Sequence, residues 1–145
     1  MKRLVLLTLG LFFAIGTLTA GNLKPIKVKE LPEKAQQFLK THCKGVEISM
    51  VRMEKEALEV SYEVRLANNG KIEFNRKGEW EEAEYKGVGV PVAIIPKNIR
   101  AYVADHFKGA RIDKITKEYW GYEVELSNGV DLKFDSKGDF KRMDD

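Results

Sequence analysis

The side chains of this sequence that could carry metal chemistry are its two histidines, His42 and His106. They lie 64 residues apart, and the helices predicted around them place no further His, Cys or carboxylate at ligand spacing. This spacing favours histidines at the edge of a hydrophobic core. We therefore expect no metal site.

Cys43 is the only cysteine, so the chain can form no disulfide within itself. It ends the apolar stripe of a predicted helix, where a free thiol behaves as a small apolar group. We therefore expect Cys43 to be buried. Pairing between two chains in an oxidising compartment is the alternative.

Carboxylates are concentrated in "EWEEAE", residues 79–84, and in the segment that contains Glu123 and Glu125. General acid–base catalysis needs a carboxyl group whose pKa has been raised by burial. Here the carboxylates alternate in the solvent-facing phase of predicted strands, which is typical of a hydrated surface. "DSKGD", residues 135–139, lacks the length and the distant Glu of an EF-hand, so we interpret it as a turn.

The sequence contains no nucleophile elbow, zinc-protease, P-loop or dinucleotide-binding motif. We therefore expect a protein that is not an enzyme and that uses no cofactor. "EYWGYE", residues 118–123, is the most aromatic stretch. Trp120 and Tyr122 fall in the core phase of a strand, whereas Tyr119 falls in the opposite phase and could anchor a protein partner.

The first 21 residues have the layout of a secretory signal peptide. Lys2 and Arg3 precede an uncharged apolar run, Leu4 to Ala20, that ends in small residues. An uncleaved membrane anchor is the alternative, although 17 residues is short for one. We expect export to the periplasm or beyond the cell, with no membrane attachment after cleavage. Without Lys2 and Arg3 the 25 basic and 22 acidic residues become 23 and 22, which gives no reason to expect nucleic-acid binding.

The segments predicted to position these side chains occur twice in the sequence, as an internal repeat. "LPEKAQQFLKTHCKG", residues 31–45, corresponds to "IPKNIRAYVADHFKG", residues 95–109, and "YEVRL" corresponds to "YEVEL" further along. We predict two repeats, residues 22–86 and 87–145, in one compact body. In each repeat, apolar residues first recur at helical spacing and then at every second position. This pattern predicts one helix followed by about four antiparallel strands.

The segment "LEVSYEVRL", residues 58–66, shows the two faces expected of each sheet. One face is apolar and comprises Leu58, Val60, Tyr62, Val64 and Leu66. The other is polar and comprises Glu59, Ser61, Glu63 and Arg65. This alternation indicates an antiparallel strand with one face on the core and one in water.

These marks resemble the PepSY-like family of beta-lactamase-inhibitor-like exported bacterial proteins. The marks are the Leu/Ile-Pro opening, the Lys-Gly helix end, the Tyr-Glu-Val strand and the Phe-x-x-x-Gly-x-aromatic hairpin. The resemblance covers residues 26–143 and implies an α+β fold: a tandem repeat of one helix followed by a roughly four-stranded antiparallel sheet. The fold would be similar to that of beta-lactamase inhibitory protein. It also implies a periplasmic or surface location.

Two functions follow as hypotheses. The first is a non-enzymatic exported module that binds a protein, such as an envelope hydrolase or peptidase, through its charged sheet face. The second is a sensor of a small ligand or metal ion that uses the crevice between the repeats and the two histidines. For the first hypothesis the candidate partner-binding residues are Glu59, Glu63, Arg65, Tyr119, Glu123, Glu125 and Lys133.

Overall fold

The computed structural model describes residues 22–144, and these form one nine-stranded antiparallel sheet in which each strand pairs with the next along the chain. Helix α1 spans Glu33–His42 and helix α2 spans Lys97–His106, and a short 3-10 helix spans Val28–Glu30. The strands are β1 Leu23–Pro25, β2 Ile48–Glu56, β3 Glu59–Leu66, β4 Lys71–Asn75, β5 Trp80–Glu84, β6 Ile112–Glu118, β7 Gly121–Leu126, β8 Asp131–Asp135 and β9 Phe140–Asp144.

The hydrophobic core lies between the two helices and one face of this sheet. Helix α1 buries Ala35 and Leu39, and helix α2 buries Ile99 and Val103, as the helical spacing predicts. Edge-to-face ring contacts join each helix to the sheet, with Phe38 against Phe74 and Tyr102 against Phe134. Such pairs add to the burial of apolar area, so they help to fix each helix on the same side of the sheet.

The predicted fold class, a tandem repeat of one helix followed by a roughly four-stranded antiparallel sheet, is wrong, because the strands of residues 22–144 form a single nine-stranded sheet. Strand β5 pairs with β6 through Ala83 opposite Ile115 and Glu84 opposite Lys114, which makes the sheet continuous. Strand β1, which the sequence analysis does not predict, extends the sheet beyond β2. Both pairings cover strand edges that would otherwise expose unpaired backbone groups.

The expectation that Leu58 faces the core is also wrong. Strand β3 begins at Glu59, and Leu58 lies in the two-residue turn after β2, where its side chain is 89% exposed. Ala57 in the same turn has a positive φ, which few non-glycine residues adopt. The apolar phase begins only at Val60.

The connector between β5 and α2 packs on the core, as its apolar composition predicts. Tyr85, Val90, Ile94 and Ile95 are buried within the same core cluster as both helices. The predicted signal peptide, residues 1–21, lies outside the described residues. Within residues 22–144, no helix is both long enough and apolar enough to cross a bilayer.

Candidate functional site

The face of the sheet opposite the helices carries most of the charged side chains of the strands. Because side chains alternate along a strand, the neighbours of each core residue point to this face. We call it the charged face and define it by Arg52, Glu63, Arg65, Lys71, Glu73, Glu82, Glu84, Lys114, Glu123, Glu125, Asp131, Lys133, Arg142 and Asp144.

The strand register lines these side chains up in a row across the sheet. The row runs, in strand order from β2 to β9, through Arg52, Glu63, Glu73, Glu82, Thr116, Glu123, Lys133 and Arg142. Cations therefore stand near both edges, and carboxylates occupy the middle. Neighbouring side chains on adjacent strands are close enough to interact directly.

Near the β2 edge, Glu63 accepts hydrogen bonds from two arginines. Arg52 donates from its guanidinium, and Arg65 Nε lies 3.1 Å from Glu63 Oε1. Burial alone would raise the pKa of Glu63, but the hydrogen bonds and charges of Arg52 and Arg65 outweigh it and lower the pKa. Glu63 is therefore an ionised carboxylate that is already paired within the protein.

At the centre, Glu73 on β4 and Glu82 on β5 lie opposite each other and share a hydrogen bond. Burial, followed by the hydrogen bond and charge of Glu82, raises the pKa of Glu73 to about 8. Burial would also raise the pKa of Glu82, but the hydrogen bond from Glu73 and the charge of Lys114 lower it. At neutral pH, Glu73 therefore stays protonated and donates a hydrogen bond to the Glu82 carboxylate.

Two lysines neutralise this central pair. Lys114 Nζ lies 2.8 Å from Glu82 Oε1. Lys71 Nζ lies 3.5 Å from Glu84 Oε1, 3.7 Å from Glu73 Oε1 and 3.8 Å from Glu82 Oε2. Glu82 is only 3% exposed although no second layer of strands or helices in residues 22–144 lies on this face. Its own neighbours bury it, so the centre of the charged face is an ordered network.

Near the β9 edge, Lys133 is 8% exposed and lies between two carboxylates. Its Nζ atom lies 3.3 Å from Asp144 Oδ2 and 3.5 Å from Glu123 Oε2. The same atom lies 5.6 Å from the centre of the Trp120 ring, within range of a cation–π interaction. Trp120 therefore covers Lys133 on the charged face.

The remaining predicted site residues lie at two places. Glu125 is half-buried on β7, opposite Lys114 and Asp131. Asp131 has its pKa raised to about 6 by burial and by the charges of Glu123, Glu125 and Asp144. Glu59, the first residue of β3, and Tyr119, in the turn between β6 and β7, lie instead at one end of the sheet, where Tyr119 is 98% exposed. The structure thus brings five of the seven candidates into the interior of one face and puts two at its end.

Two expectations about this face are wrong. Glu82 belongs to the segment that we expect to be hydrated, yet it is buried. Trp120, expected in the core beside Tyr122, instead lies in the turn between β6 and β7 and contacts Lys133. The central group of Lys71, Glu73 and Lys114 was also missed, because it depends on which strands are neighbours. Only the alternating charges of β4 and β5 could have indicated it.

The other candidate groups lie away from the charged face. His42 packs against Phe38, and the ring of His106 stacks on Tyr102 at 4.1 Å, each within its own helix. No group of three or more His, Cys, Asp or Glu side chains in residues 22–144 is arranged to hold a metal ion. Cys43 is buried, as expected, with its Sγ atom 3.9 Å from the Tyr85 hydroxyl.

"DSKGD" forms a turn, as expected. Asp135 Oδ1 accepts hydrogen bonds from the backbone N–H groups of Lys137 and Asp139, so the carboxylate is occupied in closing the hairpin. Asn75 makes the same two bonds in the hairpin between β4 and β5. Both turns follow the ordinary behaviour of Asn and Asp at such positions.

Several crystal structures are similar to this one over most of the chain. A protein of Bacteroides thetaiotaomicron, described as "a putative calcium-regulated periplasmic protein", has a TM-score of 0.84 and 43% identity, covering 87% of this chain and 99% of that one. A "putative periplasmic protein" of Bacteroides vulgatus has a TM-score of 0.81 and 40% identity over the same shares. A second B. vulgatus periplasmic protein "of unknown function" has a TM-score of 0.79 and 33% identity, covering 85% and 99%.

The family model described as "Putative beta-lactamase-inhibitor-like, PepSY-like" matches residues 60–142. Among curated proteins, none matches the chain. The matched range includes β4 to β8 and helix α2, and therefore the centre of the charged face. By this match, and by its identity to the periplasmic structures, the chain belongs to the PepSY-like family.

Proposed function

We propose that this protein is an exported, non-catalytic module that binds another protein through its charged face. An envelope hydrolase or peptidase is the kind of partner that we expect. One observation carries the proposal: no other strand or helix of residues 22–144 covers the charged face, and yet its side chains are held in fixed positions. The charged face lies opposite both helices, yet ion pairs and hydrogen bonds hold its side chains in place, from Arg52 near one edge to Lys133 near the other.

This order reduces the cost of binding. A partner that meets long, mobile side chains must immobilise them, whereas a network that is already paired loses less conformational entropy. The fixed pattern of charges also favours one orientation of the partner over others. A hydrated surface without such a network would give neither advantage.

The charges at the centre of the charged face indicate which charge the partner surface should carry. On strands β4 to β7, carboxylates outnumber lysines, with Glu82, Glu84, Glu123 and Glu125 among them. A basic patch on the partner would complement this centre. Tyr119 and Leu58, at turns at the same end of the sheet, add exposed apolar side chains that can anchor a rim of the interface.

The site and location agree with a binding role. The family description is inhibitor-like, and the three structural relatives are described as periplasmic proteins. Two carboxylates whose pKa is strongly raised, Glu73 and Asp131, lie among other charged side chains on an open sheet face. A structural network of this kind accounts for both shifts, since charged neighbours also perturb pKa values outside catalytic sites.

The experiment is affinity capture from an envelope extract, with bound proteins identified by mass spectrometry. The binding variant carries Glu59→Lys and Glu125→Lys, because neither side chain makes an ion pair shorter than 4.0 Å with another residue in 22–144. We expect the variant to lose the partner and to keep its melting temperature. Reversal of Glu63 is a poorer choice, because it would place a third cation beside Arg52 and Arg65.

The matched control carries Glu33→Lys and Asp105→Lys, two exposed positions on the helices. It changes the net charge by the same amount on the opposite side of the molecule. Because one structural relative is described as calcium-regulated, capture is performed with calcium and with a chelator. Equal loss of the partner in both variants would indicate nonspecific attraction and would count against the charged face as the binding site.

A further inference from the structure

A second possible site is an apolar groove beside helix α2, on the opposite side of the sheet from the charged face. It has a volume of about 710 Å³ and lies between α2 and the connector that precedes it. Its walls include Val92, Ile95, Ala104 and Phe107. The volume falls within the range of small-molecule sites in proteins.

All the charged side chains that line this groove are basic. Arg100, Lys108 and Arg111 line it, and none of its lining residues is acidic. Arg111 is paired with Asp113, at 3.0 Å from Nε to Oδ1. Arg100 and Lys108 form no ion pair with any residue in 22–144. Arg100 Nε donates to the carbonyl oxygen of Ile95, which holds the side chain over the groove and leaves its terminal nitrogens free to bind an anion.

A smaller groove beside helix α1 provides an internal comparison. It has a volume of about 430 Å³, and its lining residues correspond to those of the α2 groove at an offset of 64 positions. In this comparison Gln36 stands where the larger groove has Arg100, and Lys40 stands where it has Ala104. The α2 groove therefore has the larger volume, and it contains the guanidinium group of Arg100, which the α1 groove lacks.

We propose that the α2 groove binds an aliphatic carboxylate of medium chain length. Its alkyl chain lies against Val92, Ile95 and Phe107, and its carboxylate binds the guanidinium of Arg100. Apolar walls account for the alkyl chain because burial removes it from water. The guanidinium of Arg100, which unlike that of Arg111 has no ion-pair partner in residues 22–144, accounts for the acid group, since Arg pairs with carboxylates through two parallel hydrogen bonds. This site is independent of the protein partner proposed for the charged face.

The test is calorimetric titration with decanoate and decanol, both below the concentration at which they aggregate. The full chain is expressed in a bacterial host and purified in the form that the host produces. We expect decanoate to bind more tightly than decanol. Across the series from octanoate to dodecanoate, each added methylene should tighten binding about fourfold. No detectable binding of any member of the series would overturn the proposal, as would equal binding of decanoate and decanol.

Three variants locate the site. Arg100→Gln introduces the residue of the α1 groove and should weaken decanoate binding at least tenfold while leaving decanol unchanged. Ala104→Leu fills the groove from an exposed helical position and should abolish binding of both compounds. Lys40→Gln, the control in the α1 groove, should change neither.

The same variants separate this site from the alternatives. Decanoate binding that survives Arg100→Gln, or that is lost in Lys40→Gln, would overturn the assignment to the α2 groove. A change of oligomeric state in Ala104→Leu would show that a second copy of the chain, rather than a small ligand, occupies the groove. Melting curves of each variant establish that the fold is intact.

Discussion

Glu73 and Glu82 face each other across strands β4 and β5, and one proton joins their carboxyl groups at the centre of the charged face. The proton stays on Glu73 because Lys71 and Lys114 together stabilise the ionised form of Glu82. The pair couples the stability of the sheet to pH, because the unfolded chain has no such shared proton.

The first prediction is that stability falls as pH rises from about 4.5 to about 8. In this range the folded chain holds the proton of Glu73, whose pKa is raised to about 8, whereas the unfolded chain has lost it at its ordinary value of 4.5. Folding therefore binds a proton, and each increase in pH opposes it. Thermal unfolding at pH 6 and pH 9 should show a lower melting temperature at pH 9, by roughly 10 °C.

Glu73→Gln should reduce this difference between pH 6 and pH 9, because glutamine can donate to Glu82 at either pH. Glu59→Gln, at an exposed hairpin end, serves as the control and should leave the difference as it is in the original chain. An unchanged pH dependence in Glu73→Gln would show that the shared proton does not control it.

The second prediction concerns Gly121 on β7, which lies opposite Asp135 on β8. A Cβ atom at this position would lie 2.0 Å from the carbonyl oxygen of Phe134, far inside any allowed contact. Gly121→Ala should therefore push β7 and β8 apart and cost about 3 kcal/mol or more of the free energy of unfolding. Urea denaturation followed by circular dichroism measures the loss.

Gly109→Ala provides the comparison for Gly121→Ala. Gly109 also has a positive φ, of 85°, but a Cβ atom there would meet nothing within 4 Å. Only backbone strain remains, so we expect a cost of about 1 kcal/mol. Equal costs at the two glycines would contradict the steric explanation.

The third prediction is that Cys43 is protected from thiol reagents in the folded protein. Burial raises its pKa, and the hydrogen bond with Tyr85 opposes this only in part, so little thiolate exists at neutral pH. Labelling with iodoacetamide should be slower than in urea by on the order of tenfold or more. A disulfide-linked dimer on a non-reducing gel would show instead that Cys43 is accessible.

The fourth prediction is that Lys133→Met destabilises the β9 edge. Removal of the ammonium group leaves Glu123 and Asp144 facing each other without the cation that lies within 3.5 Å of both. We expect a loss of about 1–2 kcal/mol, since one partner of a partly buried ion pair is removed. Lys141→Met, at an exposed position with a 3.9 Å contact to Asp135, should cost less than about 0.5 kcal/mol.

The sequence predicts the local elements of this fold better than their assembly. Helical spacing and the positions of Pro32 and Gly45 indicate α1, and alternation indicates β3, because both signals come from neighbouring residues. The pairing of β5 with β6 has no such signal, since a connector and helix α2 separate the two strands. The predicted tandem repeat of one helix and a four-stranded sheet therefore proved to be a single nine-stranded sheet in residues 22–144.

In the candidate site, too, the sequence predicts local properties better than contacts between strands. The phase of Glu63 and Arg65 is a local property, and the structure has both on the charged face. The burial of Glu82 depends on Lys71 and Lys114, which reach it from two neighbouring strands. Trp120 was misplaced for a related reason, because its turn interrupts the alternation from which its phase was inferred.

The most direct test of the charged face is carboxyl footprinting of the protein with and without an envelope protein obtained by the affinity capture proposed above. A carbodiimide labels accessible carboxylates, and mass spectrometry measures the labelling rate at each position. We predict that the partner slows labelling of Glu59 and Glu125 and leaves Glu33 and Asp105, on the helices, unchanged. Protection of Glu33 and Asp105 with no change at Glu59 and Glu125 would contradict the proposal, because the partner would then bind the helical side.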